Sequence, residues 1–350
     1  MTPQVSILMP VFNGEHLLER ALQSILKQSF TNFEVIVLDN LSTDSTPLIC
    51  QRLAEQDDRI NYVLDTQHRT THEAANYLKG IALGEFCVYA SDDDLWEKDF
   101  LEVLTSLIES VPKADIAIAN CRSIDLDDCY VGRSFLRKRE IFLMKSGPFL
   151  FWWSYLVRRN VVPVIFALFR TNVLRDSPPF TTFDNTGADV DNLFVLNMAK
   201  NHRVVLTERT LFGYRRKTRG APPSYLYRPK TLGTTPELGA PTTLGRGRFF
   251  IYFFDHQLRF TREIFVLLQT SEFKKFQQIL LYLRASWSFL VHIFFKFPVS
   301  LILEFLMREL KSRPLDMAIK SGRSKSLELQ KNTTGYLWKI SDSKATNEKA

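Results

Sequence analysis

The chain has 350 residues, which allows one large domain or a domain of about 200 residues with an extension. Hydrophobic residues make up 45% and charged residues 24%, so the composition is that of a globular protein and excludes a disordered or fibrous chain. The formal net charge of +7 suits a surface that tolerates anionic ligands or lipids, but it does not by itself indicate nucleic-acid binding.

The first 120 residues alternate between short β-rich runs and segments with apolar residues at helical spacing. The predicted strands are 5–9, 33–39, 60–64, 85–90 and 115–120. The predicted helices between them are 16–28, 42–56, 72–83 and 96–110. This alternation predicts an α/β fold built on a mostly parallel, doubly wound sheet.

The rest of the chain is less regular. Residues 162–170 are predicted to form a strand and residues 189–200 a helix. Residues 218–248 are rich in Gly, Pro, Thr and basic residues, which predicts a linker or a long loop. Residues 249–315 have a helical, aromatic-rich pattern, and the polar tail 316–350 is predicted to be disordered.

Polar residues follow three of the predicted strands. They are Pro10 to Asn13 after the first, Asp39 after the second and Ser91 to Asp94 after the fourth. Because ligands bind at the carboxyl ends of strands in such sheets, these loops are expected to converge. The turn PVFNGEH has a single glycine and matches neither the dinucleotide nor the P-loop pattern. A nucleotide bound here would need its phosphates neutralised by a metal held by carboxylates.

The segment YASDDDLW places Asp92, Asp93 and Asp94 next to one another. Adjacent carboxylates repel, which raises some of their pKa values unless a cation is present, and a bound Mg²⁺ or Mn²⁺ reverses that effect. An alternative is that Asp94 caps the following helix, with Glu97 as its capping-box partner. That alternative accounts for one of the three carboxylates.

A series of motifs in order resembles the family-2 glycosyltransferases, which have the GT-A fold and use nucleotide-activated sugars. The resemblance covers roughly residues 3–217, which would form the catalytic domain 1–217. The motifs are Pro10-Val11-Phe12-Asn13, Ser24-Ile25-Leu26-Lys27-Gln28-Ser29-Phe30, Asp39-Asn40-Leu41-Ser42-Thr43-Asp44, Asn76 with Ala82-Leu83-Gly84-Glu85-Phe86, and Ser91-Asp92-Asp93-Asp94 with Trp96.

The resemblance implies a nucleotide-sugar site at the strand ends. The residues expected to contact the donor are Pro10, Phe12, Asn13, Asp39, Arg69, Asn76 and Asp92. Among them, Asp39 would accept a hydrogen bond from the base and Asp92 would contact the ribose. A divalent metal, Mg or Mn, would be bound by Asp93 together with Asp94. The family's D-x-D motif has Ser91 in its first position here.

The resemblance also implies a catalytic base near the start of the helix 189–200. The family often has Glu-Asp there, and this chain has Ala188-Asp189. Asp189 is therefore the predicted base, although it is also suited to an N-cap, and Asp191 is the second candidate. A carboxylate that deprotonates an acceptor hydroxyl, with a metal stabilising the leaving diphosphate, implies a transfer that inverts the anomeric carbon.

The apolar C-terminal region raises the question of a membrane. The runs 287–295 and 299–307 are separated by Lys296, Phe297 and Pro298, and each is far shorter than the roughly 20 residues that span a bilayer. Two alternatives remain open. The helices could lie on a membrane surface, with basic residues near anionic lipid, or they could pack as a pair on the domain or on a second subunit.

The predicted function is that of a metal-dependent inverting glycosyltransferase of bacterial surface polysaccharide biosynthesis, with a UDP-sugar donor and a glycan or lipid-linked acceptor. The alternative is a non-catalytic sugar-nucleotide-binding or scaffold protein. The cysteines form no CxxC pair, and no basic region precedes the first apolar run. These features predict a cytoplasmic protein, peripheral to the inner face of the plasma membrane if the C-terminal helices bind lipid.

Overall fold

A computed structural model of the chain describes residues 2–158, 162–180, 190–215, 246–296, 325–332 and 335–342. Its contacts divide the chain into two compact units, residues 1–293 and residues 294–350. The predicted catalytic base, Asp189, lies outside the described residues.

One sheet organises the larger unit. Its strands are β1 (Val5–Val11), β2 (Phe33–Asp39), β3 (Ile60–Leu64), β4 (Phe86–Tyr89), β5 (Leu95–Trp96), β6 (Ile116–Ile124), β7 (Tyr130–Val131), β8 (Leu168–Arg170) and β9 (Val204–Arg215). Among the described residues the order is β3-β2-β1-β4-β8-β6-β9-β5, with β7 paired to β6. The pairs β1–β2, β1–β4, β2–β3 and β6–β9 are parallel, whereas β8 is antiparallel to both β4 and β6. The mostly parallel sheet is thus confirmed.

Helices cover both faces of this sheet. They are α1 (Leu18–Leu26), α2 (Thr46–Gln56), α3 (Thr71–Ile81), α4 (Phe100–Ser110), α5 (Lys138–Lys145), α6 (Pro148–Arg158), α7 (Val162–Ile165), α8 (Thr171–Asp176), α9 (Val190–Asn201), α10 (Arg246–Gln269) and α11 (Lys275–Lys296). Alternate residues of β1 belong to two different buried hydrophobic clusters, one on each face of the sheet, because side chains along a strand point to opposite faces. Leu8 joins the cluster under α3, α6 and α9, while Ile7 and Met9 join the one under α1, α2 and α4.

Two predicted elements differ from the structure. Residues 162–170 form a helical turn followed by a short strand, since Pro163 cannot donate to a strand ladder and suits the first turn of a helix. The helix predicted over 96–110 begins at Phe100, with Asp99 as its N-cap. Leu95 and Trp96 instead pair with β9 at the sheet edge. The prediction that Asp94 caps this helix is therefore wrong.

The C-terminal helix α10 and most of α11 are part of the larger unit. Phe260, Ile264, Leu268 and Leu281 are each at most 1% exposed and belong to the same buried cluster as Trp152 of α6. In the described part of the chain no helix is long and apolar enough to cross a membrane. Within the smaller unit, β10 (Lys325–Asn332) and β11 (Gly335–Asp342) pair antiparallel in a segment whose composition predicts disorder.

Candidate active site

The loop after β1 is fastened to the loop after β2. The backbone N–H of Asn13 donates to Ser42 Oγ at 2.9 Å, and Asn13 Oδ1 accepts from the Thr43 N–H at 2.8 Å. The Gly14 N–H donates to Thr46 Oγ1 at 2.8 Å. The first two polar strand ends that the sequence singles out therefore meet, as expected for neighbouring parallel strands.

Asp39 lies at the end of β2 and is fully buried. Its Oδ1 accepts from the Ser42 N–H at 2.9 Å, and its Oδ2 accepts from the Tyr62 hydroxyl at 3.0 Å. The Ser42 bond closes a turn in which Leu41 has φ of 61°, an uncommon backbone conformation for leucine. Asp39 thus shapes the loop beside which the base of a nucleotide would lie. Burial, together with the hydrogen bond to Asp39, raises the pKa of Tyr62.

The loop after β3 joins the same edge through Arg69. The side chain of Asn40 makes two hydrogen bonds with the backbone of Arg69, both at 2.7 Å. Its Nδ2 donates to the Arg69 carbonyl, and its Oδ1 accepts from the Arg69 N–H. The Arg69 Nε donates to Asp65 Oδ2 at 2.7 Å, and the guanidinium lies 4.5 Å over the Tyr77 ring. Arg69 is therefore held at this edge of the sheet, next to the Asp39 loop.

Two further residues of the predicted donor site, Pro10 of β1 and Phe12 just after it, occupy the same edge. Pro10 pairs with Leu38 in the β1–β2 register. The Phe12 ring contacts the His68 ring edge-on, with centroids 5.7 Å apart. The loops after β1, β2 and β3 are therefore joined to one another.

Asp92 faces the β1 loop. It is 5% exposed, and a β-carbon on residue 14 would lie 2.8 Å from Asp92 Oδ2 and 2.9 Å from Val11 Cγ2. Only glycine permits this approach. The single glycine of the PVFNGEH turn thus serves to bring the β1 loop against the acidic segment after β4.

Asp93 and Asp94 differ in environment. Asp94 is 1% exposed, and its Oδ1 accepts from the Arg215 N–H at 2.7 Å. Asp93 is half-buried and accepts from the Ser91 hydroxyl at Oδ1, while its backbone carbonyl accepts from Arg215 Nε at 2.6 Å. Arg215 is buried and also forms an ion pair with Asp128. Its guanidinium is therefore used to hold the acidic segment against the end of β9.

The acidic segment fits a divalent cation. Burial and the nearby charges of Asp93 and Asp92 raise the pKa of Asp94 well above its usual range, and in the described structure its Oδ2 has no hydrogen-bond partner. A cation beside Asp93 would relieve this crowding of carboxylates. Among the described residues, no three His, Cys, Asp or Glu side chains could hold a metal by themselves. Mg²⁺ at phosphate sites usually uses only one or two carboxylates, with substrate oxygens and water completing its coordination.

Asn76 does not point to the strand ends. Its side chain donates to the Phe180 carbonyl at 2.9 Å and accepts from the Phe180 N–H at 2.8 Å. One turn further along α3, the buried Lys79 donates to the Ser177 carbonyl at 2.9 Å. This side of α3 is therefore hydrogen-bonded to the backbone of residues 177–180, which directly precede residues 181–189.

His72 lies one turn before Asn76 on α3. Its ring stacks on Phe180, with centroids 6.1 Å apart, and its Nε2 lies 3.8 Å from Asp191 Oδ1 at the start of α9. Burial lowers the pKa of His72, although the nearby Asp191 and Glu73 oppose this shift. His72, Asn76 and Lys79 thus contact both ends of the segment that contains the predicted base.

Sequence reasoning missed four residues that hold the site together: Asn40, Tyr62, Asp65 and Arg215. Asp65 follows β3 as directly as Asp39 ends β2, so the strand-end rule could have found it. The role of Arg215 depends on its contacts with the acidic segment at the end of β9, which no local pattern signals.

The arrangement defines a mixed α/β fold with an acidic site at the carboxyl ends of its parallel strands. Residues 6–160, somewhat less than half of the chain, match the family described as Glycosyl transferase family 2. Over that segment the match agrees with the resemblance to family-2 glycosyltransferases that the sequence motifs predict.

Two curated relatives are beta-1,3-glucosyltransferases by name. GalNAc(5)-diNAcBac-PP-undecaprenol beta-1,3-glucosyltransferase of Campylobacter jejuni is 39% identical over 94 residues, which cover 26% of this chain and 30% of that protein. UDP-Glc:alpha-D-GlcNAc-diphosphoundecaprenol beta-1,3-glucosyltransferase WfgD of Escherichia coli is 33% identical over 104 residues, which cover 30% of this chain and 40% of that protein. The matches therefore span well under half of either relative.

A solved structure shares the fold over a longer part of the chain. The crystal structure of S. aureus TarS 1-349 in complex with UDP-GlcNAc matches with a TM-score of 0.54 and 17% identity, covering 81% of this chain and 71% of that one. At this identity the similarity is one of fold. It confirms the predicted GT-A-type architecture.

Proposed function

We propose that this protein is an inverting, metal-dependent glycosyltransferase that moves a sugar from a nucleotide-diphosphate donor to a hydroxyl of a glycan or lipid-linked acceptor. The observation that supports it most is the meeting of Asp39, Gly14 and the Asp92–Asp94 segment at the carboxyl ends of β1, β2 and β4. This edge of an α/β sheet is where nucleotides bind, and the family match covers these loops.

The donor site is assigned residue by residue. Asp39 and Arg69 would border the base and Asp92 the ribose, with Pro10, Phe12 and Asn13 shaping the loop above them. Asp93 would hold a divalent metal, Mg or Mn, with Asp94 behind it. When bound, this metal supplies positive charge at the diphosphate as the sugar departs. The uridine nucleotide carried by S. aureus TarS makes a UDP-sugar the first donor to test.

Asp189 would be the base that takes the proton from the acceptor hydroxyl. One positioned carboxylate is enough for a single displacement at the anomeric carbon, whereas hydrolysis of a glycoside needs two opposed carboxyl groups. The contacts of α3 with Phe180 and Asp191 support this assignment, because they would fix both ends of the segment that carries Asp189.

The acceptor is proposed to be a growing bacterial surface polysaccharide on a lipid carrier. Both curated relatives are named for acceptors on diphosphoundecaprenol. We place the protein on the cytoplasmic side of the membrane, where such a donor and acceptor would meet. The C-terminal helices are the described surface with most exposed apolar side chains, and their role is taken up below.

A thermal-shift screen tests donor binding. The full chain is mixed with UDP-, GDP-, dTDP- and CDP-linked sugars, with and without Mn²⁺. A UDP-sugar at 100 times its Kd should stabilise the protein by about 2.7 kcal/mol, and only when metal is present. Absence of stabilisation by every donor would contradict the proposal.

Assays of sugar transfer with the variants Asp189→Asn and Asp191→Asn distinguish an active glycosyltransferase from a non-catalytic sugar-nucleotide-binding protein. Asp189→Asn should bind the stabilising donor normally and show no transfer, while Asp191→Asn, the matched control, should stay active. The reverse pattern would make Asp191 the base. Tight metal-dependent donor binding without turnover in the wild type would favour the non-catalytic alternative, for which Ala188 beside Asp189 is the motivating departure.

A further inference from the structure

A basic cavity lies away from the strand ends, between α5, α6 and α11. Its volume is about 270 Å³, and it is lined by Arg137, Arg139, Glu140, Leu143, Trp153, Ser154 and Arg284. Small-molecule sites usually measure roughly 300–1,000 Å³. The cavity therefore suits a small charged group rather than a nucleotide sugar.

The cavity has an excess of positive charge. Three of its lining residues are arginines and one is a glutamate, and Glu140 Oε2 already accepts from the Arg137 backbone N–H at 2.9 Å. Guanidinium groups present paired donors that match the oxygens of phosphate. The lining thus favours an oxyanion.

Arg284 has a buried donor that the described residues leave unpaired, as Arg122 does elsewhere in the fold. Its guanidinium lies 4.5 Å over the Trp153 ring, and burial lowers its pKa. Within the described structure, the buried Arg284 Nε has no hydrogen-bond partner. Buried donors are nearly always paired, so an acceptor from outside the chain would complete this site.

The outer face of α11, next to this cavity, is apolar and exposed. Phe276 is 70% exposed, Ile279 57%, Leu283 58% and Trp287 62%. Steps of three and four residues place these four side chains in one stripe along the helix. The opposite side of α11 is buried in the core through Leu281 and Ala285. The helix is therefore apolar on two faces, and the described residues bury only one of them.

The apolar surface continues onto α10. Leu258, Phe265 and Val266 are 43–46% exposed, and the Phe265 ring meets Tyr282 of α11 with centroids 5.1 Å apart. The residues 274–296 include Lys274, Lys275, Arg284 and Lys296 but no Asp or Glu. Apolar side chains flanked by cations are the pattern of helices that lie in the plane of a bilayer surface.

We propose that α10 and α11 dock on a bilayer that contains anionic phospholipid, with the stripe Phe276, Ile279, Leu283 and Trp287 among the acyl chains and a lipid phosphate in the cavity of Arg139 and Arg284. A second copy of the chain fits this face less well. In a two-fold interface the same patch meets itself, which would bring Lys274, Lys275 and Arg284 of both copies together, and α11 itself has no Asp or Glu to pair with them. The proposal goes beyond the sugar transfer and does not depend on it.

Co-sedimentation of the full chain with vesicles tests this proposal. Wild type should bind vesicles of phosphatidylcholine mixed with phosphatidylglycerol, bind poorly to phosphatidylcholine alone, and lose affinity in high salt. Arg139→Gln/Arg284→Gln should weaken binding to the anionic vesicles roughly 10- to 30-fold, because each basic residue near such a surface contributes a factor of about five. Phe276→Ser/Leu283→Ser should weaken it roughly tenfold or more through lost apolar insertion.

Matched controls change the same chemistry elsewhere. Lys27→Gln/Lys98→Gln removes two exposed cations and Leu48→Ser/Leu83→Ser removes two side chains that are 69% and 67% exposed; both controls should bind vesicles like wild type. Donor-induced thermal shifts should be unchanged in all four variants, which separates this proposal from the proposed transfer.

Three outcomes would overturn the proposal. The first is equal vesicle binding by wild type and both test variants, or none by wild type. The second is calorimetric binding of inorganic phosphate that Arg139→Gln/Arg284→Gln abolishes, without any vesicle affinity, which would indicate a soluble oxyanion as ligand. The third is a lipid-free dimer, seen by light scattering, that Phe276→Ser/Leu283→Ser dissociates.

Discussion

At the scale of single residues, the three adjacent carboxylates have separate environments and should respond differently to mutation. Asp93 is half-buried at the open side of the segment, so Asp93→Ala should abolish the metal-dependent stabilisation by a donor. In the absence of ligand, Asp93→Ala should change the free energy of unfolding by no more than about 0.5 kcal/mol, as surface substitutions do. Thermal shift with and without Mn²⁺ gives the first quantity and urea denaturation the second.

Asp94 should behave in the opposite way. Asp94→Ala leaves the buried N–H of Arg215 without an acceptor, which should lower the free energy of unfolding by about 1–3 kcal/mol. Asp94→Asn keeps an acceptor oxygen for that N–H and should lose less. Urea denaturation of the two variants checks this order. If Asp94→Ala abolished metal-dependent donor binding with little loss of stability, the metal would belong to Asp94 and the assigned register would be off by one.

His72 should make stability depend on pH. Burial lowers its pKa below the ordinary 6.5, so between the two pKa values the unfolded chain binds more protons than the folded one. The stability it contributes is therefore complete above about pH 6.5 and is lost as the pH falls through the folded pKa. The melting temperature of wild type should decrease more than that of His72→Gln between about pH 7.5 and pH 5.5.

At the scale of elements, α3 connects the donor side of the site to the segment that carries the proposed base. Asn76→Ala would leave both backbone groups of Phe180 without their partner, lowering the free energy of unfolding by about 1–3 kcal/mol. Because residues 181–189 follow directly, kcat should fall more than donor affinity. Steady-state kinetics and urea denaturation check both effects, with Asn172→Ala, an exposed asparagine of α8, as the control. Lost donor affinity with unchanged kcat would instead place Asn76 in the donor site.

The elements also show what the sequence can predict. The strands β1 to β4 and the helices between them follow from their apolar periodicity, because each element buries one regular face. The convergence of Asn13, Asp39 and Asp92 follows from the strand-end rule. The roles of Asn76 and Arg215 could not be predicted, since their partners lie 104 and 121 residues away along the chain and depend on tertiary packing. The short strand β5 was missed for the same reason.

At the scale of the whole molecule, the folding unit extends beyond the segment that resembles the family. The motifs predict a catalytic domain that ends at residue 217, whereas the compact unit runs to residue 293 and includes α10 and most of α11. Four apolar side chains of these helices, Phe260, Ile264, Leu268 and Leu281, are buried in the main core. At about 1.5–3 kcal/mol each, their burial is comparable with the net stability of an ordinary domain, about 5–15 kcal/mol.

A chain truncated after residue 217 should therefore be unstable, while one truncated after Lys296 should keep the wild-type melting temperature within a few degrees. The first truncation exposes the core surface beneath α10 and α11, including Trp152, and removes Phe273, whose ring contacts that of Trp152. Circular dichroism melting and light scattering would show an early, aggregating transition for the shorter chain. If that chain instead melted cooperatively like wild type and still bound the donor, α10 and α11 would be an appendage to a self-sufficient catalytic domain, and their burial would contribute little to its stability.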